Sequence, residues 1–404
     1  MKITINHLPL DLITTICLDV KQPHNTALIN RLFNEATKKS FIHLKKDYES
    51  KGLITKETGT DQEVVQQVAS SILQTARELG INIHQKDISS ECLDAFRIEI
   101  QNINLIKFYR KLPDENRGAK LEGNNNQQAA SIREWMKANQ PILSQITSLS
   151  LYFTGLTEIP PEICLFNNLQ ILKLENNKIT DISPLAQLTA LRVLWLSNNQ
   201  IVDISPLAQL TALENLALID NQIVDISPLA QLTALRELLL NNNQIVDISP
   251  LAQLTALRVL VLNNNQIVDI SPLAQLTALE VLRLDNNQIV DISPLAELTE
   301  LRGLSLNNNQ IVDIPPLTQL TTLEELDLRD NQIVDIPPLA QLTALETLWL
   351  NNNQIVDISP LAQLTALRDL RLNNNQIVDI SPLAQLTTLE ELDLRDNQIV
   401  DTPP

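Results

Sequence analysis

From Leu169 onward the apolar residues of this chain keep one spacing without drift. Leu191, Leu194 and Leu196 are followed by Ile201, Ile204, Leu207 and Leu210, and the whole set returns 22 residues later. Counting Leu191 as place 1 of a unit, leucines stand at places 1, 4 and 6, isoleucines at 11 and 14, and leucines at 17 and 20. Alternation at places 4 and 6 predicts a short strand with both leucines inward and places 3, 5 and 7 outward. Ser205 and Pro206 then predict a cap and the first position of a helical turn. Only a turn or two fits into the rest of the unit, so the return side is predicted as short 3-10 pieces.

An Asn stands at place 9 of every unit, from Asn177 through Asn199 and Asn221 to Asn397. Its amide carries two donors and an acceptor, which suits a bend whose backbone groups would otherwise be buried unpaired. Ten complete units run from Leu169 to Thr388, a partial one from Leu389 to Pro404, and a divergent one from Ile146 to Asn168. A 22-residue period is a solenoid signal, and L-x-x-L-x-L-x-x-N-x-I resembles the leucine-rich repeats. The longer match N-x-I-x-D-I-x-P-L-x-x-L-T-x-L resembles the internalin type. It is also similar to the repeats of a eukaryotic phosphatase-regulatory subunit. The resemblance implies an α/β fold: a curved leucine-rich-repeat solenoid with a parallel β-sheet on the concave face and short 3-10 turns on the convex side, preceded by a helical N-terminal domain.

Half of each unit is copied faithfully and half varies. NNNQIVDISPLAQLTAL recurs unchanged at 241–257, 263–279 and 351–367, whereas places 3 and 5 differ from unit to unit. Variation thus falls on the outward face of the sheet, where side chains are free of packing and can be shaped to a partner. Unconstrained drift is the competing explanation. Two tryptophans at place 5 weigh against it, because Trp is costly on a soluble surface and enriched at binding hot spots. Val193, Trp195, Ala217, Leu239, Val259 and Val261 form a predicted apolar patch, Trp349 sits in a charged one among Glu325, Asp327, Arg329, Thr347, Asp369 and Arg371, and Arg283 is a further candidate on the same face. Seven strand spacings put the tryptophans roughly 34 Å apart, so a partner touching both is protein-sized. Trp195→Ala and Trp349→Ala are each expected to leave stability nearly unchanged, and at least one of them to weaken the partner complex by about 2 kcal/mol. Val at place 12 is expected to pack between coils. Asp at place 13 is expected to cap the following turn rather than to hold calcium, because no ligand loop with the required glycines is present.

The first 145 residues do not repeat, and their pattern predicts helices. Residues 1–112 are expected as a helical domain, 113–128 as a linker, 129–145 as a capping helix and 146–404 as the repeats. Thr60 and Glu63 form a capping-box pattern ahead of a helix that stops at Gly80, and a second helix starts near Glu91 with Leu93, Phe96, Ile100 and Ile103 inward. Ile132, Trp135 and Met136 share one face of the capping helix, which would close the open end of the first coil. Leu8-Pro9 with Leu12, Ile13 and Ile16 resembles an F-box, the module that in that family holds the adaptor of a cullin-type ubiquitin ligase. A plain helical domain is the competing reading.

Net charge divides the chain. Residues 1–145 carry 19 Lys+Arg against 17 Asp+Glu, and 146–404 carry 11 against 31. So acidic a repeat region disfavours nucleic acid and anionic membranes and favours a basic or polar protein partner. Cys17, Cys92 and Cys164 are too few and too scattered for a disulfide framework. The N-terminus lacks the unbroken apolar run of a secretory signal, so the expected location is the cytoplasm, or a host cell after export without a cleavable signal. No phosphate loop, zinc spacing or Gly-x-Ser-x-Gly occurs, and none of the four histidines has a nucleophile partner. The expectation is a non-enzymatic protein-binding module or adaptor with no cofactor and no metal. The alternatives are an effector-type substrate receptor of a cullin ligase and an assembly solenoid that self-associates through an uncapped C-terminal repeat.

Overall fold

The computed structural model describes residues 90–400. They fall into two compact units, one containing 90–169, 173–188 and 199–206, the other 170–172, 189–198 and 207–400. The F-box-like residues Leu8, Pro9, Leu12, Ile13 and Ile16 and the helix expected before Gly80 lie outside the described residues.

The first unit opens with helix α1 (Ser90–Tyr109), close to the start expected near Glu91. Ile100, Leu105, Ile106, Phe108 and Tyr109 are buried. Ile103, expected inward, is only partly covered, and Asn102 and Asn104 are buried instead. The buried amides are satisfied: Asn104 donates to Thr157 Oγ1 at 3.0 Å and accepts from the Thr157 amide at 3.2 Å. Phe108 meets Phe166 of the first repeat edge-on at 5.6 Å. Helix α2 (Asn125–Ala138) begins inside the stretch expected as a linker. The reason is a capping box: Asn124 Oδ1 accepts from the Gln127 amide at 3.0 Å, and Gln127 Oε1 accepts from the Asn124 amide at 2.9 Å. Residues 113–128 therefore hold a 3-10 turn (Asp114–Asn116) and the first turn of α2 as well as loop. Ile132 and Met136 are fully buried, and Trp135 stacks edge-on against Tyr109 at 5.8 Å. A short helix, α3 (Gln140–Leu143), follows. Closure of the first coil is thus shared by α1 and α2 rather than carried by one helix.

Each repeat contributes one three-residue strand, and the twelve strands pair in chain order into one sheet. They run from β1 (Ser148–Ser150) and β2 (Ile171–Lys173) through β3 (Val193–Trp195), β6 (Val259–Val261), β7 (Val281–Arg283) and β10 (Thr347–Trp349) to β12 (Glu391–Asp393), with the others at the same 22-residue step. Pairing is parallel and one full repeat out of step, so Trp195 faces Ala217 and Trp349 faces Asp327 and Arg371. Leucines at places 4 and 6 are buried in all complete repeats, with the isoleucines at 11 and 14 behind them. That stack of identical apolar layers is the driving force for the fold.

The Asn at place 9 makes the predicted ladder. Asn287 Nδ2 donates to the carbonyls of Leu262, Leu284 and Asp285 at 3.1, 3.0 and 3.2 Å, and Asn309 Oδ1 accepts from the Ile289 amide at 3.0 Å. A second ladder, at place 8, escapes the sequence pattern. There every complete repeat holds an Asn or Asp in the left-handed region, at φ 51–59°, a conformation these two residues tolerate best after glycine. Their side chains link outside the bend, as in Asn264 to Asn242 at 2.5 Å and Asn374 to Asn352 at 2.7 Å.

The return side consists of 3-10 pieces such as Ser205–Gln209 and Pro315–Gln319. Ser does not cap them. In the complete repeats the residue before the piece is an isoleucine, which offers no side-chain cap, and where the piece begins with Ser the acceptor is the Asp at place 13: Asp225 Oδ1 takes the Ser227 amide at 2.8 Å. These Ser amides hold the carboxyls of Asp247, Asp291 and Asp379 below their usual range. Valines at place 12, expected between coils, are exposed from Val224 to Val378. The isoleucines on either side of the bend take the interior and turn the intervening valine outward.

Candidate protein-binding surface

Places 3, 5 and 7 of the second unit lie on the sheet face away from the leucine layers. Val193, Trp195, Leu239, Val259 and Val261 are all partly exposed there. Both tryptophans stand in the same register column on this face, and neither is part of the core. Ala217 is the exception. It lies in register between Trp195 and Leu239 and is 6% exposed, too small a side chain to emerge between larger neighbours.

The charged half is more tightly built than its sequence suggests. Trp349 is sandwiched: the Arg329 guanidinium carbon lies 4.7 Å and the Arg371 guanidinium carbon 4.9 Å from its ring. Its indole N–H donates to Asp369 Oδ2 at 2.8 Å. Asp327 accepts from Arg329 Nε and Nη2 at 2.9 and 2.7 Å, a bidentate pair, and is 7% exposed. Trp349 therefore presents an edge rather than an open ring, and Asp327 is covered by its partner. Truncating Trp349 removes two cation–π contacts and a hydrogen bond, which overturns the expectation that its loss spares stability.

One residue that the sequence reading passed over organises this half. Asp285, at place 7, is 5% exposed. It accepts from Asn307 Nδ2 at 2.7 Å, the Asn307 amide at 3.2 Å, Ser305 Oγ and Asn263 Nδ2. Asn307 Nδ2 also reaches Asp327 Oδ2 at 3.2 Å, so one amide bridges two carboxylates. Burial pushes the Asp285 carboxyl above its usual range; the Asp327 charge adds to this, while hydrogen bonds from Ser305 and Asn307 and the charge of Arg283 oppose it. The signal was a lone Asp among the Asn residues at place 7. Arg283 beside it is exposed. Along place 2, Arg and Glu of neighbouring repeats form bridges such as Arg192–Glu214 at 2.5 Å and Arg302–Glu324 at 2.6 Å. These are solvent-exposed pairs of small individual worth.

Among the described residues no cluster of three or more His, Cys, Asp or Glu could hold a metal ion, and no helix is long and apolar enough to cross a membrane.

The comparisons with known proteins decide the family. A model described as leucine-rich repeats (2 copies) matches eight overlapping or adjoining windows from 189–231 to 365–404, and one described as leucine rich repeat matches 144–201. The chain belongs to the leucine-rich repeat family. An internalin (inlF) from Listeria monocytogenes is similar at 42% identity over 64% of this chain and 76% of that one, with a TM-score of 0.63. A leucine-rich repeat protein of Leptospira interrogans is similar at 27% identity, over 65% and 82%, with a TM-score of 0.52. A plant peptide hormone receptor, RGFR1 in complex with RGF2, shares the fold at 21% identity, over 62% and 47%, with a TM-score of 0.53. No curated protein matches significantly. Leucine-rich repeats of the internalin type are generally protein-binding folds.

Proposed function

We propose that this leucine-rich repeat protein binds a protein partner on the sheet face of its second unit, from β3 to the strand at Asp369–Arg371. The observation that carries the reading is the division within each repeat: the packing half is constant, while the one face that varies holds a partly exposed apolar row, Val193, Trp195, Leu239, Val259 and Val261. Apolar side chains centred on a Trp make the kind of patch that concentrates binding energy. The partner is basic or polar where it meets the other half, because Glu325 and Glu391 stand exposed there beside the paired Asp and Arg residues. A partner captured from native or host lysate and purified should bind Trp195→Ala about 2 kcal/mol more weakly, roughly 30-fold in Kd. Titration calorimetry reads this directly. Undiminished affinity in both Trp195→Ala and Val259→Asp would move the site elsewhere. Recovery of a cullin adaptor, lost on changing Leu8 and Pro9, would favour the substrate-receptor reading instead.

A further inference from the structure

Seven glycines occur in the chain, and only Gly303 falls among the complete repeats. It opens strand β8 (Gly303–Ser305) in the middle of the sheet, in register with Val281 of β7 on one side and Glu325 of β9 (Glu325–Asp327) on the other. Nothing in the fold calls for a glycine there. Its φ lies outside the left-handed region, and register is continuous on both sides, without a bulge. A Cβ built on it would meet only the methyl carbons of Val281, at 3.9 and 4.0 Å, an ordinary contact. A strand glycine of this kind costs backbone entropy and packs nothing, and it marks a place where a ligand or another backbone comes close.

The missing side chain leaves a gap in the outward row at place 3. Val281 and Glu325 wall it, two strand spacings or roughly 10 Å apart, with the width of one side chain between them. Ser305, the next outward residue of β8, is also small; its Oγ donates to Asp285 and lies 3.4 Å from Asp327 Oδ2. The two walls differ in chemistry. Val281 is apolar and partly exposed, whereas Glu325 is exposed and its carboxylate makes no hydrogen bond or ion pair among the described residues. Every other charged side chain at places 2 to 7 of these three repeats is matched. Arg302 binds Glu324 at 2.6 Å, Arg258 of the preceding repeat binds Glu280, and Arg329 binds Asp327 at 2.7 Å. Arg283, in register with Ser305 rather than with Gly303, acts on Asp285. One negative charge is left over, and it borders the gap.

We propose that the gap over Gly303 receives one Lys or Arg side chain of the protein partner, its aliphatic stem against Val281 and its cationic head on Glu325. The inference rests on the reading of the sheet face as the binding surface and names the chemistry at one position of it. Lys and Arg are the side chains that offer an apolar stem and a charged tip together. A single unmatched carboxylate selects a single cation rather than a basic run. An apolar side chain in the gap would bury Glu325 without a partner, and an acidic one would meet it as a like charge. The wider field points the same way, since 31 Asp+Glu against 11 Lys+Arg in residues 146–404 attract a cation to this part of the chain.

The test selects random peptides displayed on phage against the immobilised full chain, and a synthetic copy of the tightest binder serves as the probe, read by fluorescence anisotropy. It should contain a Lys or Arg whose replacement by Met weakens binding about tenfold or more. Gly303→Val fills the gap and should weaken the probe to a similar degree. Its melting temperature should be no lower than that of the wild type, because valine suits a strand better than glycine does, which separates a blocked gap from a lost fold. Glu325→Gln, at an exposed position, should weaken the probe likewise, and Glu325→Lys should bind the peptide whose basic residue is replaced by Glu. Acidic or uncharged binders, no binders, or unchanged binding to Gly303→Val or to Glu325→Gln would overturn the inference. If Trp195→Ala or Val259→Asp still weakens the probe in that last case, the sheet-face reading stands without it; if all four variants bind like the wild type, both fall.

Discussion

Replacing Asn287 by Ala isolates the contribution of the buried amide ladder in the middle of the repeats. In the wild type the Nδ2 group donates to the carbonyls of Leu262 and Leu284, and Oδ1 accepts from the amide of Ile267 at 3.0 Å. Asn287 is buried, as are Leu262, Leu284 and Ile267. The substitution strands the Ile267 N–H in an apolar layer, while the Leu262 and Leu284 carbonyls each lose one of two donors and keep the other, from Asn265 and Asn309. An orphaned buried group costs about 1–3 kcal/mol. Counting the Ile267 amide in full and adding a smaller loss at the two carbonyls gives about 2–4 kcal/mol. Asn286, one residue earlier, is the control. It is left-handed, and its exposed side chain accepts from Asn308 Nδ2 at 2.6 Å, so Asn286→Ala faces the backbone penalty and the loss of one solvent-exposed hydrogen bond, about 1–2 kcal/mol. Guanidinium unfolding followed by tryptophan fluorescence measures both losses, and amide exchange at Ile267 should accelerate only in Asn287→Ala. A loss within about 1 kcal/mol of wild type, or a larger loss for Asn286→Ala, would refute the ladder as a principal source of stability.

Three further outcomes follow from the same geometry. Asp269→Ala should cost about 1 kcal/mol, because its carboxylate caps the Ser271 amide at 2.8 Å, whereas Asp313→Ala should cost far less, since Pro315 has no N–H to cap; parallel thermal melts decide this. Asp285 has a raised folded pKa, so the folded chain holds its proton more tightly than the unfolded chain. Stability attributable to it is therefore present below the ordinary carboxylate range and lost as pH rises through the folded pKa, and Asp285→Asn should flatten that fall in a denaturant series across pH. Trp349→Ala should lower stability by about 1–2 kcal/mol through its two guanidinium contacts; a melting temperature equal to that of the wild type would contradict the sandwich.

Periodicity carried most of the fold. Leucines at places 4 and 6, Asn at 9 and Pro at 16 repeat because each coil must stack on a near-identical neighbour, and that constraint is written directly into the 22-residue spacing. The same logic separated the constant half from the variable face and put Trp195 and Trp349 in one column. What the sequence left open were the interactions between places. The left-handed Asn at place 8 looked like one more polar residue until the backbone gave its φ. The pattern offered both the Asp at place 13 and the Ser at place 15 as caps for the return turn, and the bend's geometry made it the Asp, whose oxygen faces the amide. The early start of α2 depended on a reciprocal bond between Asn124 and Gln127. On the binding face, the sequence could name an outward residue but not its neighbours 22 residues away. Register set Arg329 and Arg371 on the two faces of Trp349, covered Ala217, and gathered Asp285, Asn307 and Asp327 into one buried network. Such contacts are made across coils, between residues whose identities are independent of one another in the chain, and for that reason only the tertiary structure could decide them.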